Sequence, residues 1–214
     1  MVDVYEYYSR RYVMEEIGGF LIGRWVGIEG FDRKWVRWVD DKPLVVKSFL
    51  DIPVLIRKYS FIKPRSFYGS IEVFHRLVNR EDVMDRYRFN VAYVTPFIDI
   101  DIVDDQFIED VWRSVVEIGV LIRDWLRDNG VVDSVYFLWS GAGMHVRINE
   151  YCFEESIKEY HPLDVAYVFT EYILRSTRNE ILELINRSGG KIKVENLVSM
   201  KRVFTAPLSL HRRL

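Results

Sequence analysis

The residues best suited to chemistry are two aspartates one position apart in an apolar run, Phe97-Ile98-Asp99-Ile100-Asp101-Ile102-Val103. In a strand, side chains alternate between faces, so both carboxylates share one face with Phe97 while the isoleucines enter a core. Two like charges on one partly buried surface are costly unless something positive neutralises them. A divalent cation does this well, because hard ions such as Mg²⁺ prefer carboxylate oxygens. The same pattern also suits an edge strand with one solvated polar face.

Three further segments carry reactive or ligand-binding residue types. In Ser140-Gly141-Ala142-Gly143-Met144-His145-Val146-Arg147, two glycines follow a strand and allow a turn whose amides approach a phosphate closely. Strand alternation then puts His145 and Arg147 on one face, where a guanidinium fork suits phosphate oxygens. An ordinary β-turn leading into a strand is the plainer reading. Lys191-Ile192-Lys193-Val194-Glu195 is a strand ending in an acid, which by itself also reads as a surface carboxylate. The last segment is Lys201-Arg202-Val203-Phe204-Thr205-Ala206-Pro207-Leu208-Ser209-Leu210-His211.

The elements that must position these residues are legible in outline. Tyr5 to Gly18 reads as a helix ended by Gly18-Gly19, and Phe20 to Val39 as short strand-like pieces. Ser66 to His75 is a strand, and the acid-pair strand runs within Asn90 to Val103. Asp104-Asp105 offer N-cap chemistry for a helix over Gln106 to Asn129, closed by Gly130. Its apolar face is Val111, Val115, Ile118, Ile122, Trp125 and Leu126. Strands follow at Val135 to Trp139 and Met144 to Ile148, then a long helix from Leu163 to Asn186. Strands resume at Lys191 to Glu195 and Arg202 to Thr205. The order strand, helix, strand, strand, helix, strand resembles the split βαβ arrangement of RRM-like sheets. The expected fold is α+β, with a mixed or antiparallel sheet carrying the acids and helices on its back.

Composition bounds the rest. The 214 residues are 49% hydrophobic and 29% charged, with a formal net charge of −2, which suits one folded domain spanning 1–214. Six Trp, thirteen Tyr and thirteen Phe exclude a disordered chain. The single Cys152 excludes a disulfide framework and a four-cysteine zinc site. The absence of a long apolar run and the polar, acidic start predict a cytoplasmic protein without membrane partners. A net charge near zero argues against a basic coat but permits a local basic groove. Arg33, Lys34 and Arg37 interleave with Trp35 and Trp38, and Arg57, Lys58, Lys63 and Arg65 lie near Tyr59 and Phe61. Both clusters suit backbone neutralisation with base stacking, or solvated charges above core aromatics.

In order and spacing, the four segments resemble the archaeo-eukaryotic primase superfamily, most closely the small catalytic subunit of archaeal DNA primase in a compact form. D-x-D, S-G-x-G-x-H, the strand acid and R-h-x-x-x-P-x-S-L-H carry the likeness, with the opening Tyr7-Tyr8-Ser9-Arg10-Arg11-Tyr12 and Glu15-Glu16-Ile17 adding to it. The resemblance implies a primase-type catalytic core that synthesises primers on a single-stranded DNA template from NTP or dNTP. It implies that Asp99, Asp101 and Glu195 hold two Mg²⁺ or Mn²⁺ ions, without a structural zinc. Ser140, Gly141, Gly143, His145, Arg202 and His211 would then contact the nucleotide, and strand alternation adds Arg147. A primase large subunit is an implied partner.

The chain also departs from the family pattern. Its glycine turn is one residue shorter and lacks the usual arginine, Thr205 stands where a basic residue is usual, and Glu195 replaces the usual Asp. The Cys/His zinc knuckle of archaeal small subunits is missing. Two other readings therefore stand beside the primase: a primer-dependent repair polymerase of the same fold, and a non-catalytic paralogue serving a replication complex or binding nucleic acid.

Overall fold

The computed structural model describes residues 3–103, 109–141, 143–154, 157 and 159–210. The described residues up to 92 and from 201 onward form one compact unit, and those from 93 to 200 form another.

The first unit opens with α1 (Val4–Tyr8), capped by the Asp3 carboxylate, and α2 (Arg11–Leu21). Expected as one helix ending at Gly18-Gly19, this segment breaks at Ser9-Arg10 and stays helical through both glycines. The reason lies in packing: a Cβ on Gly18 would stand 2.6 Å from the Phe49 Cα. Gly18 is there for close approach rather than termination. Gly18→Ala is therefore expected to lower stability by about 2 kcal/mol through overpacking, although Ala favours helix by ~1 kcal/mol. A urea melt reads the sign directly, and a stabilised variant would refute the contact argument.

Strands β1 (Val26–Gly30), β2 (Trp35–Val36), β3 (Trp38–Val39) and β4 (Lys42–Pro43) follow, then α3 (Asp51–Lys58). The expected 66–75 strand is β5 (Pro64–Ser70) and β6 (Glu72–Phe74), followed by α4 (Arg80–Val83) and α5 (Tyr87–Asn90). The apolar face of β1 and β5, with Val26, Ile28 and Phe67, shares a core with Tyr8, Val13, Ile17, Leu21, Ile52 and Ile56.

Strand β7 (Val91–Val94) carries the chain into the second unit, which runs β8 (Phe97–Ile102), α6 (Glu109–Asp128), β9 (Val135–Trp139) and β10 (Gly143–Ile148). It continues through α7 (Pro162–Ser176), α8 (Arg178–Arg187) and β11 (Ile192–Glu195). The expected helix from Leu163 to Asn186 is thus two helices. They part at buried Thr177, whose hydroxyl donates to the Ile173 carbonyl at 2.8 Å. The sheet order is β11-β8-β10-β9, antiparallel throughout, one of the two sheet types expected from the sequence. One face, Ile98, Ile100, Ile102, Met144, Val146, Ile148 and Ile192, packs with Val111, Val115, Ile118, Ile122 and Leu126 of α6. Each such buried side chain contributes roughly 2 kcal/mol of hydrophobic stabilisation. The proposed Asp104-Asp105 cap lies outside the described residues. The chain then returns to the first unit as β12 (Val203–Thr205), giving that unit a sheet of order β12-β5-β1-β2. No described helix is long and apolar enough to cross a membrane.

Candidate active site on the charged face of a sheet

Because the isoleucines of β8 fill the core, the opposite face of the same sheet receives the intervening residues. Strand register arranges them in rows. His145, Asp99 and Glu195 stand side by side on β10, β8 and β11, and Gly143, Asp101 and Lys193 form the neighbouring row. Phe97 and Arg147 make the next row on the other side of Asp99. The sheet thus brings together five residues singled out from the sequence: Asp99, Asp101, Glu195, His145 and Arg147.

Asp99 is 6% exposed. Its Oδ1 lies 3.0 Å from His145 Nε2, an ion-pair distance, yet makes no hydrogen bond. On the other side of the imidazole, Arg147 Nη2 stands 3.1 Å from Nδ1. An arginine has only donors, so Nδ1 accepts and the ring proton belongs on Nε2. Arg147 is fully buried, and the Phe97 ring stands 5.5 Å from the imidazole. This is a geometry that fixes the orientation and tautomer of His145.

Glu195 Oε2 takes Lys193 Nζ at 2.7 Å. That hydrogen bond holds the Lys193 ammonium above the ordinary lysine range. Lys193 was not among the candidate site residues, although its period-two relation to Glu195 places it on this face. Among the described residues, no three His, Cys, Asp or Glu side chains are drawn together into a metal cage. Glu195 is turned to Lys193, and Asp99 to His145. The donor set nevertheless fits a hard cation: three carboxylates occupy adjacent rows, and the most buried of them has an oxygen without a hydrogen bond.

At the edge of this face, β9 turns into β10. Gly141 has φ 104°, a conformation suited to glycine, and the Ser140 amide donates to the Gly143 carbonyl at 3.0 Å. The Ser140 hydroxyl is out of solvent without a hydrogen bond. Ala142, the residue of the shortened turn, lies outside the described residues.

The remaining candidates belong to the first unit. Arg202 has an exposed side chain, and its carbonyl accepts from the Ile71 amide at 2.9 Å. Thr205 stands opposite Tyr68 in β5. In the P-x-S-L-H segment, Ser209 Oγ accepts from the Phe67 amide at 2.7 Å, and the Leu210 carbonyl accepts from Ser66 Oγ at 2.6 Å. The Leu210 amide donates to the Tyr8 hydroxyl at 3.0 Å. Ser209 and Leu210 therefore anchor the chain just before His211, which itself lies outside the described residues.

The basic clusters are largely stacked on aromatics. Arg37 lies 3.4 Å from the Trp25 ring centre and Arg57 4.3 Å from that of Tyr5. Burial pushes Arg37 down to about 10. Arg33 and Lys34 remain exposed.

No protein-family model matches this sequence, and no curated protein matches it either. Among solved structures, the polymerase domain of Mycobacterium tuberculosis ligase D in complex with DNA matches with a TM-score of 0.65. The match covers 99% of this chain and 76% of that one at 14% identity. At that identity the likeness is one of fold: the chain shares the α+β fold of that polymerase domain, with antiparallel sheets backed by helices.

Proposed function

We propose that this chain is a template-directed nucleotidyltransferase of the primase small-subunit type, acting as one catalytic domain over residues 1–214. The observation that carries the reading is the row His145–Asp99–Glu195 beside Asp101 on one sheet face. It occurs in a fold shared with a polymerase domain solved with DNA. Asp99, Asp101 and Glu195 would hold Mg²⁺ or Mn²⁺. Such ions acidify an attacking 3′-hydroxyl and stabilise the leaving pyrophosphate.

The protein's own groups bind and orient the nucleotide. Ser140 and the Gly141 and Gly143 amides grip phosphate oxygens at the turn, and His145 is presented in one tautomer by Arg147. The family resemblance also implies Arg202 and His211 as nucleotide contacts, and Ser209 and Leu210 tie down the segment between them. Single-stranded DNA is the template, NTP or dNTP the substrate, and a primase large subunit the candidate partner in the cytoplasm.

The likeness to a polymerase domain also favours a primer-dependent variant of the same reaction. Extension of a labelled primer on single-stranded DNA with Mg²⁺ or Mn²⁺, beside a reaction without primer, separates the two. Product in both reactions is expected of a primase; product only with primer assigns a polymerase that needs a pre-existing 3′-hydroxyl. The Lys193–Glu195 pair and Thr205 favour a non-catalytic paralogue instead. Absence of product in both reactions, with DNA binding retained, would select that reading.

A further inference from the structure

On the reading that the carboxylates take a metal, we propose that Lys193 is the built-in counter-ion of this cluster and limits how tightly the site holds a divalent cation. Lys193 shares a row with Asp101 and Gly143, and its ammonium reaches along β11 to Glu195 at 2.7 Å. It is therefore paired with one proposed metal ligand and stands opposite another.

An ammonium and a dication compete for the same oxygens. Glu195 cannot turn fully to a metal while it holds Lys193, and the positive charge repels an ion bound beside it. The Lys193 side chain is 61% exposed, so it can swing into water without disturbing the core. An incoming triphosphate offers the ammonium alternative oxygens. Nucleotide arrival would then free Glu195 and couple metal capture to substrate binding. In a water-like dielectric, a unit charge about 6 Å from a dication changes its affinity by a factor of about ten.

The test is Mn²⁺ binding without nucleotide, read from the electron paramagnetic resonance signal of free Mn²⁺. It uses the wild type, Lys193→Met, Lys193→Arg and Asp99→Asn, each checked for fold by circular dichroism. Lys193→Met is expected to tighten Mn²⁺ binding about tenfold, with Lys193→Arg close to wild type and Asp99→Asn losing the site. Equal or weaker binding by Lys193→Met, with Asp99→Asn still losing the site, overturns the counter-ion role and leaves the metal reading intact. Binding that Asp99→Asn does not weaken overturns the metal reading and Lys193's role with it.

Discussion

Asp99→Asn is expected to reduce nucleotide incorporation by about a thousandfold or more, the order seen when a preorganised charge-stabilising group is removed, while leaving the melting temperature unchanged or higher. The combination is unusual for a residue only 6% exposed. Removing a buried group normally destabilises, but Asp99 stands in a row with Glu195, and its Oδ1 makes no hydrogen bond. Asn keeps the volume of the side chain while removing a like charge from the row that Asp99 shares with Glu195. A residue maintained for structure would show the opposite pattern, with activity lost only in proportion to stability. Thermal melts and initial rates on the same preparations distinguish the two.

Gly143→Ala is expected to be the most destabilising single substitution at the site. A Cβ there would stand 1.9 Å from the Ile100 carbonyl oxygen, 2.7 Å from Asp101 Oδ1 and 2.8 Å from Asp101 Cα. The backbone neighbours belong to the central strand β8 and move only if the β8–β10 ladder opens. The expected cost is ~3 kcal/mol or more, a fall of about 10 °C in melting temperature for a chain this size. Because the clash falls on Asp101 itself, activity should drop even well below the melting temperature. A differential scanning measurement finding Gly143→Ala within 2 °C of wild type, with ~2 °C as the smallest shift expected per kcal/mol, would show that the strands separate easily.

The acid pair was legible because strand alternation is a local rule: the period of two in Phe97–Ile102 fixes which side chains face together wherever the strand goes. The strand–helix order likewise anticipated a sheet carrying the acids with helices on its back, and the 3.6-residue period of α6 named its buried face. What stayed hidden depends on partners distant in sequence. Gly18 resembles a helix stop, and its fit against Phe49 exists only once α2 has packed. Lys193 resembles a surface cation until β11 pairs with β8 and sets it opposite Asp101. Ser209 reads as part of a nucleotide motif, yet its hydroxyl is engaged by the Phe67 amide. Arg37 reads equally as a DNA contact or as a charge above core aromatics, and only the fold sets it 3.4 Å from the Trp25 ring centre. The site's rows were therefore readable strand by strand, and their ion pairs were not.

The most direct test of the account is single-nucleotide incorporation opposite a defined template base, with Mg²⁺ or Mn²⁺, by the wild type and Asp99→Asn side by side. The wild type is expected to add the complementary nucleotide to a primed single-stranded template, a chelator to stop it, and Asp99→Asn to add essentially none. Equal incorporation by both proteins, or none by the wild type under any metal and primer combination, would contradict the account.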